Sequence, residues 1–331
     1  MTLPVRRLGT DGPMISVVGL GAWAIGGGWL WGWGPQDDAD SISTMHRAIE
    51  SGITWIDTAG VYGYGHSEEV VGRFLQELPE SDRPLVFTKG GLVWNVADPT
   101  QEALRDLSPR TIRSQCEDSL RRLGVERIDL YQFHWPDETG VPVEESWDEM
   151  SRLVDEGKVR WGGVSNFDME LLRRCERQRH MDSLQPKFSA VSRRMAEETL
   201  PWARRHDNGV LCYSPMANGR LTDTFSLQSW QALPDGDWRK AWDVDELRRD
   251  LSVRDALRPV AARHGVSVAA VAVAWVLAWP GVTAAIVGAR RPEQVDGWIA
   301  AADVELSRHD MAEIAQAIRH AGAGSGPERP E

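Results

Sequence analysis

The chain of 331 residues is poor in cysteine, with three only. Cys116, Cys175 and Cys212 are odd in number and show no C-x-x-C spacing, which argues against a disulfide framework and a thiolate metal site and fits a reducing cytoplasm. No H-E-x-x-H pair occurs among the eight histidines, so no metal is assigned. The longest apolar run, 268–279, is too short for the ~20 residues that span a bilayer and reads as a buried helix. The first twelve residues lack an apolar core of signal-peptide length. Basic charge is also in deficit: the net charge is −12, which argues against a nucleic-acid partner or a polybasic membrane anchor. Missing too is the usual dinucleotide fingerprint, because Gly19-Leu20-Gly21 is followed by Ala24 where a third glycine is required.

What the chain does have is an alternation of short β-rich runs with stretches of helical spacing. The runs are 15–23, 54–59, 85–89, 128–135, 159–166, 183–189, 209–215 and 283–289. Between them, Ile42, Met45 and Ile49 share a helical face. Ser108 and Pro109 open a helix with Ile112, Cys116, Leu120 and Leu123 as its inner stripe and Gly124 as its stop. Trp147, Met150 and Val154 precede Gly157, and Pro292 opens a helix with Val295, Trp298, Ile299 and Ala302 inward. Eight such units predict a single (β/α)8 TIM barrel over 1–320. Turn chemistry at Gly9-Thr10-Asp11-Gly12 predicts a hairpin that closes the barrel bottom. A long polar segment between strands seven and eight, 221–250, reads as a loop over the top, and the Gly- and Pro-rich tail 321–331 as disordered.

Active sites of such barrels form where strands end. Here the second strand ends at Asp57, with Tyr62 five residues on; the third ends at Lys89 and the fourth at His134. Lys89 is one of only four lysines among 37 basic residues, so its choice over arginine at a strand end carries weight. An ammonium is a compact point charge that favours a phenolate. Lys89 would lower the Tyr62 pKa towards the operating range, Asp57 would hold Lys89, and a neutral His134 would orient a carbonyl oxygen. Nothing in the side-chain inventory supplies a hydride, so a cofactor must. Its phosphates would fit the loops after strands seven and eight, Tyr213-Ser214-Pro215-Met216 and Gly288-Ala289-Arg290-Arg291. Taken singly, each residue has an ordinary alternative: Asp57 as an ion-pair partner, Lys89 as a surface lysine, His134 as a core histidine, Arg290 and Arg291 as a solvated helix start. Ser67, with Glu68 and Glu69, reads as a helix cap. Among sixteen tryptophans, Trp29, Trp31 and Trp33 follow the first strand. With Trp23, Trp94 and Trp135 they would line an aromatic substrate mouth suited to flat apolar, aromatic or sugar-like carbonyls. Trp147, Trp275 and Trp298 read as packing residues.

The motifs Asp57-Thr-Ala-x-x-Tyr62-Gly-x-Gly-x-Ser-Glu68, Lys89, Asp129-Leu-Tyr-Gln-x-His134-Trp-Pro, Gly163-Val-Ser-Asn-Phe167 and Ile286-x-Gly-Ala-Arg290 occur in this order. Together the chain resembles the aldo-keto reductases over nearly its whole length. The resemblance implies an NADPH-dependent carbonyl reductase, with NADH also admissible, using Asp57, Tyr62, Lys89 and His134, with Tyr62 as general acid. It also implies that Ser165, Asn166 and Gln185 bind the carboxamide, Tyr213 stacks on the nicotinamide, and Gly21 and Trp23 border ring and substrate. Gly288, Arg290 and Gln294 would hold the adenosine phosphate end, and the segment opening at Leu221 would cover the cofactor. Three positions depart from the family pattern: Asp223-Thr224 where Gly-Lys is common, Gly297-Trp298 where Glu-Asn is common, which leaves open whether Trp298 stacks on the adenine or packs, and Phe188 for an aromatic hydroxyl. Two other readings remain open: a nicotinamide-sensing regulatory protein with slow turnover, and an alcohol or sugar dehydrogenase. The partner expected is a small-molecule carbonyl compound; neither its identity nor the oligomeric state is legible.

Overall fold

Side chains alternate across a β-strand, and in this chain the alternation sorts large apolar residues from polar ones along a closed barrel. A computed structural model describes residues 2–330. Its barrel strands are β3 (Val18–Gly21), β4 (Trp55–Asp57), β5 (Leu85–Gly90), β8 (Ile128–Phe133), β9 (Val159–Ser165), β10 (Ser183–Gln185), β11 (Gly209–Tyr213) and β12 (Ala284–Gly288). All neighbours pair in parallel, and β12 pairs with β3 to close the ring. This is the (β/α)8 barrel that the alternation predicts.

The bottom is plugged by the hairpin β1 (Val5–Arg7) and β2 (Met14–Ser16), paired Val5 to Ser16. The predicted first strand, 15–23, is thus two elements: Ile15 ends in the hairpin and β3 starts at Val18. Leu8 and Ile15 are buried against Trp55, Phe87, Leu130, Leu211 and Ile286, which fill the lower barrel. Only glycine fits at position 19, since a Cβ there would lie 2.2 Å from the Trp55 ring.

The outer helices begin and end where local chemistry directs. Ser108 accepts from the Thr111 N–H and Pro109 takes the first position of α3 (Pro109–Leu123), which stops at Gly124 with φ 65°. Ile112, Cys116 and Leu123 are buried, with Leu120 at the edge of the same stripe. Helix α9 (Val268–Leu277) is buried at all but one position, as the apolar run predicts. No single helix among the described residues is long and apolar enough to cross a membrane.

Three expectations are corrected. The segment 221–250 is not a loop throughout: it holds the short helix α7 (Leu227–Gln231), and from Val244 it belongs to α8 (Val244–His264), capped by Asp243. Ser67 is not a cap; it lies inside α2 (His66–Gln76) and donates to the Ala22 carbonyl at 3.0 Å. The tail after α11 (Arg308–Ala321) is placed against the body rather than disordered, apart from Glu331, which lies outside the described residues. Ala323 is buried, and the buried Arg193 guanidinium donates to the carbonyls of Ala323, Gly326 and Pro327.

Candidate active site

Above the apolar floor the inward positions turn polar two residues further along the same strands. Trp55, Phe87 and Leu130 give way to Asp57, Lys89 and Gln132, which share the inward face by the two-residue period. Lys89 Nζ donates to Asp57 Oδ1 at 2.5 Å and to the Thr58 carbonyl at 2.9 Å, and lies 3.5 Å from the Tyr62 hydroxyl. Gln185 Nε2 donates to Asp57 Oδ2 at 2.8 Å. The Tyr62 and His134 rings meet edge to face, 5.6 Å between centroids. All four residues predicted to act together are therefore in one place.

Tyr62 is held by backbone as much as by side chains. It opens a tight turn in which Gly63 and Tyr64 are left-handed, φ 61° and 57°. A Cβ on Gly63 would fall 2.1 Å from the Gly26 carbonyl oxygen, so this turn and the loop after β3 pack main chain on main chain. Behind it, the buried Glu68 carboxylate accepts from Thr88 Oγ1 at 2.6 Å and Arg122 Nε at 2.7 Å.

Burial dominates the electrostatics. It pushes the Asp57 carboxyl up and the Lys89 ammonium down, each opposed by the charge of the other. Burial, and then the Asp57 charge, push the Tyr62 phenol well above its ordinary value. The lowering expected from Lys89 does not emerge: burial dominates, and Asp57 sits 2.5 Å from the ammonium and adds its own negative charge. Burial and then the Lys89 charge drive His134 well below an ordinary imidazole, so it is neutral. The set presents a protonated phenol beside a neutral imidazole.

These groups open on a cavity of about 1260 Å³. That volume is above the ~300–1,000 Å³ of ordinary small-molecule sites and accommodates two adjoining ligands. Its wall includes Gly21, Trp23, Ser165, Asn166, Gln185 and Tyr213, then Ser214, Pro215 and Met216, and at the far rim Gly288, Ala289, Arg290 and Gln294. Asn166, left-handed at φ 62°, donates to the His134 carbonyl and accepts from the Tyr213 hydroxyl at 2.8 Å, which links three strand ends. Gly21 and Gly288 are register partners, so bare backbone faces the cavity there; a Cβ on Gly21 would strike Ile286 at 2.8 Å. This is a cradle that a planar ring fits.

Trp31 and Trp135 also line the cavity. Trp94 does not: it packs on Tyr64, 6.1 Å between centroids. Nor does Leu221, which is fully buried in the core. Trp298 is buried in the core and also lines the cavity. Asp223 lines the cavity with its carboxylate engaged, accepting from the Val268 N–H at the start of α9 and from Arg258. Arg290 is spent on the loop after β3: Nε donates to Gln36 Oε1 at 2.8 Å, and the remaining donors reach the carbonyls of Trp33 and Pro35. Sequence reasoning missed Trp238, which stacks on Trp23 at 5.6 Å and donates from Nε1 to the Gly32 carbonyl. It also missed Lys187 on the cavity wall. Neither has a local motif to mark it.

Residues 17–319 match the model of the Aldo/keto reductase family. The chain is 35% identical to Aldo-keto reductase YhdN of Bacillus subtilis (strain 168), over 90% of its own length and 88% of the relative. It is 35% identical to the NADH-specific methylglyoxal reductase of Escherichia coli (strain K12), over 94% and 98%. Among solved structures, the glycerol dehydrogenase AKR11B4 from Gluconobacter oxydans superposes with a TM-score of 0.87 at 38% identity, covering 98% of this chain and 97% of that one. The chain belongs to the aldo/keto reductase family. It is accordingly an oxidoreductase of a family that uses nicotinamide cofactors and acts on small carbonyl compounds.

Proposed function

We propose that this enzyme reduces an aldehyde or ketone to the alcohol with NADPH, and that Tyr62 is the proton donor. One observation carries the reading: the Tyr62 hydroxyl lies at the cavity, 3.5 Å from Lys89 Nζ and edge-on to His134. The chemistry that a dihydronicotinamide would supply when bound in this cavity is a hydride for the carbonyl carbon. Tyr62 gives its proton to the carbonyl oxygen, and the nearby Lys89 ammonium stabilises the phenolate left behind. His134, neutral, donates to the same oxygen and fixes its direction. Asp57 keeps Lys89 charged and in place. Ser165, Asn166 and Gln185 are proposed to orient the carboxamide, and Tyr213 to support the ring.

The substrate side of the cavity, with Trp29, Trp31, Trp135 and Tyr64, suits flat or sugar-like carbonyl compounds. The names of the relatives add α-oxo aldehydes and the carbonyls derived from small polyols to that class. Arg290 at the far rim, with the exposed Arg291 next to it in the chain, supports NADPH. The engagement of Arg290 by Gln36 favours a second reading, NADH, which the E. coli relative also shares by name.

The test is cofactor oxidation by the purified protein across aromatic aldehydes, methylglyoxal, dihydroxyacetone and sugars. Tyr62→Phe should lower kcat by roughly 100- to 10,000-fold with cofactor affinity unchanged. Undiminished turnover would remove Tyr62 from the chemistry.

A further inference from the structure

Four cationic side chains line the cavity, and three are already engaged. Arg105 pairs with Glu138 and lies over Trp135, Arg239 pairs with Asp237, and Arg290 is held by Gln36. Lys187 is different. Half-buried, it has no hydrogen-bond or ion-pair partner among the described residues. Its nearest charged neighbours are Arg220, Glu246 and Asp250, and those bind one another: Arg220 Nη1 reaches Glu246 at 3.0 Å and Asp250 at 2.6 Å.

The wall beside it is built for negative charge. Lys187 bridges to Tyr213 in parallel register, which sets it next to the turn that follows β11. That turn holds Ser214, Ala217 and Asn218 left-handed, with φ between 50° and 54°, a costly conformation for side-chain-bearing residues that is concentrated at ligand sites. Met216 and Asn218 both line the cavity, and the N–H of each donates to no acceptor among the described residues. A left-handed turn with free N–H groups is a recognised anion nest. An ammonium beside such a nest, held partly out of water with no counter-ion, lacks one thing: an anionic oxygen.

We propose that Lys187 is an anion-binding residue of this enzyme and that it holds the diphosphate of the nicotinamide dinucleotide together with the 214–219 turn. The assignment rests on the nicotinamide reading above. It names the cation that compensates for Asp223-Thr224: the acidic residue at that position is occupied by Val268 and Arg258, and the positive charge comes from the end of β10 instead. Burial pushes the Lys187 pKa down, so a bound anion would also hold it protonated.

Equilibrium binding tests this without turnover. Quenching of tryptophan fluorescence would be titrated with NADPH, with ADP-ribose (diphosphate but no nicotinamide) and with adenosine (no diphosphate), for the unaltered protein, Lys187→Met and Lys187→Arg. Lys187→Met should weaken NADPH and ADP-ribose by about tenfold or more, the value of a charge-assisted contact, and the loss should shrink at high salt. Adenosine binding should not change, and Lys187→Arg should retain most of the affinity. Equal ADP-ribose affinity in the unaltered protein and a folded Lys187→Met would overturn the assignment. So would a variant whose only defect is a raised KM for carboxylate-bearing carbonyls such as glyoxylate, since the anion would then be the substrate's. Failure of the unaltered protein to bind NADPH or NADH at all would overturn the nicotinamide reading, and the Lys187 assignment with it.

Discussion

Lys89 is 2.5 Å from Asp57 and 3.5 Å from Tyr62, so the carboxylate owns the ammonium and the phenol feels what is left of its charge. Both members of the pair are almost fully buried. Removing one leaves the other charged in a poor solvent, at a cost of about 3–5 kcal/mol, while removing both is far cheaper. Asp57→Asn and Lys89→Met should each lower the urea midpoint sharply, and the double variant should recover much of that loss yet remain inactive. A double variant as unstable as the sum of the singles would mean that the pair is not a unit.

The protonation states set the pH profile. Tyr62 is held above, and His134 below, its ordinary value. Carbonyl reduction should therefore stay level from about pH 6 to 9, whereas alcohol oxidation, which needs the phenolate, should rise with pH. Stability responds to the same imidazole. Because the folded pKa of His134 is depressed, the unfolded chain takes up a proton that the native state refuses once the pH falls below about 6.5. The native state should lose stability from there downward, and His134→Gln should flatten that decline in acid denaturation curves.

Arg290 is clamped by Gln36 from 254 residues away. With NADPH as cofactor, Arg290→Ala should lower kcat/KM for NADPH about tenfold more than for NADH, the scale of one charged phosphate contact. Gln36→Ala, which frees Nε, should leave or raise the NADPH preference. Equal losses for both cofactors in Arg290→Ala would make the residue a latch for the 33–36 loop and favour NADH.

Trp238 ties the long 214–243 crossing to the opposite rim by a stack on Trp23, edge contacts with Trp31 and Trp33, and a hydrogen bond to Gly32. Their combined worth is about 1–2 kcal/mol. Trp238→Ala should speed cofactor dissociation about tenfold in stopped-flow displacement and raise hydrogen exchange over 226–243. Unchanged dissociation would place the cofactor's path clear of this crossing.

The barrel was legible because each strand is a short apolar run, and the proposed catalytic cluster because Asp57, Lys89 and His134 stand together at strand ends, although each taken singly has an ordinary alternative. Long-range choices were not legible. Nothing near Trp238 in the chain points to Gly32, 206 residues away, and nothing in a Gly- and Pro-rich tail discloses that Arg193 anchors it through three hydrogen bonds. Leu221 and Trp94 were misplaced for a related reason: sequence gives their neighbourhood but not whether a side chain turns toward the cavity or the core. Lys187 was invisible in another way, since its significance lies in having no partner.

The floor beneath Asp57 and Lys89 is built from Leu8, Ile15, Trp55, Phe87 and Leu130, and the hydrogen-bonded string that descends from Asp57 through Gln185 and Gln132 to the Ser183 hydroxyl is buried throughout. Under the proposed chemistry each reduction consumes the Tyr62 proton, and a string that passes through two neutral carboxamides is no relay to refill it from below. The refill has to arrive through the same mouth by which the alcohol leaves, so proton resupply waits on product departure, and the enzyme is rearmed once per release.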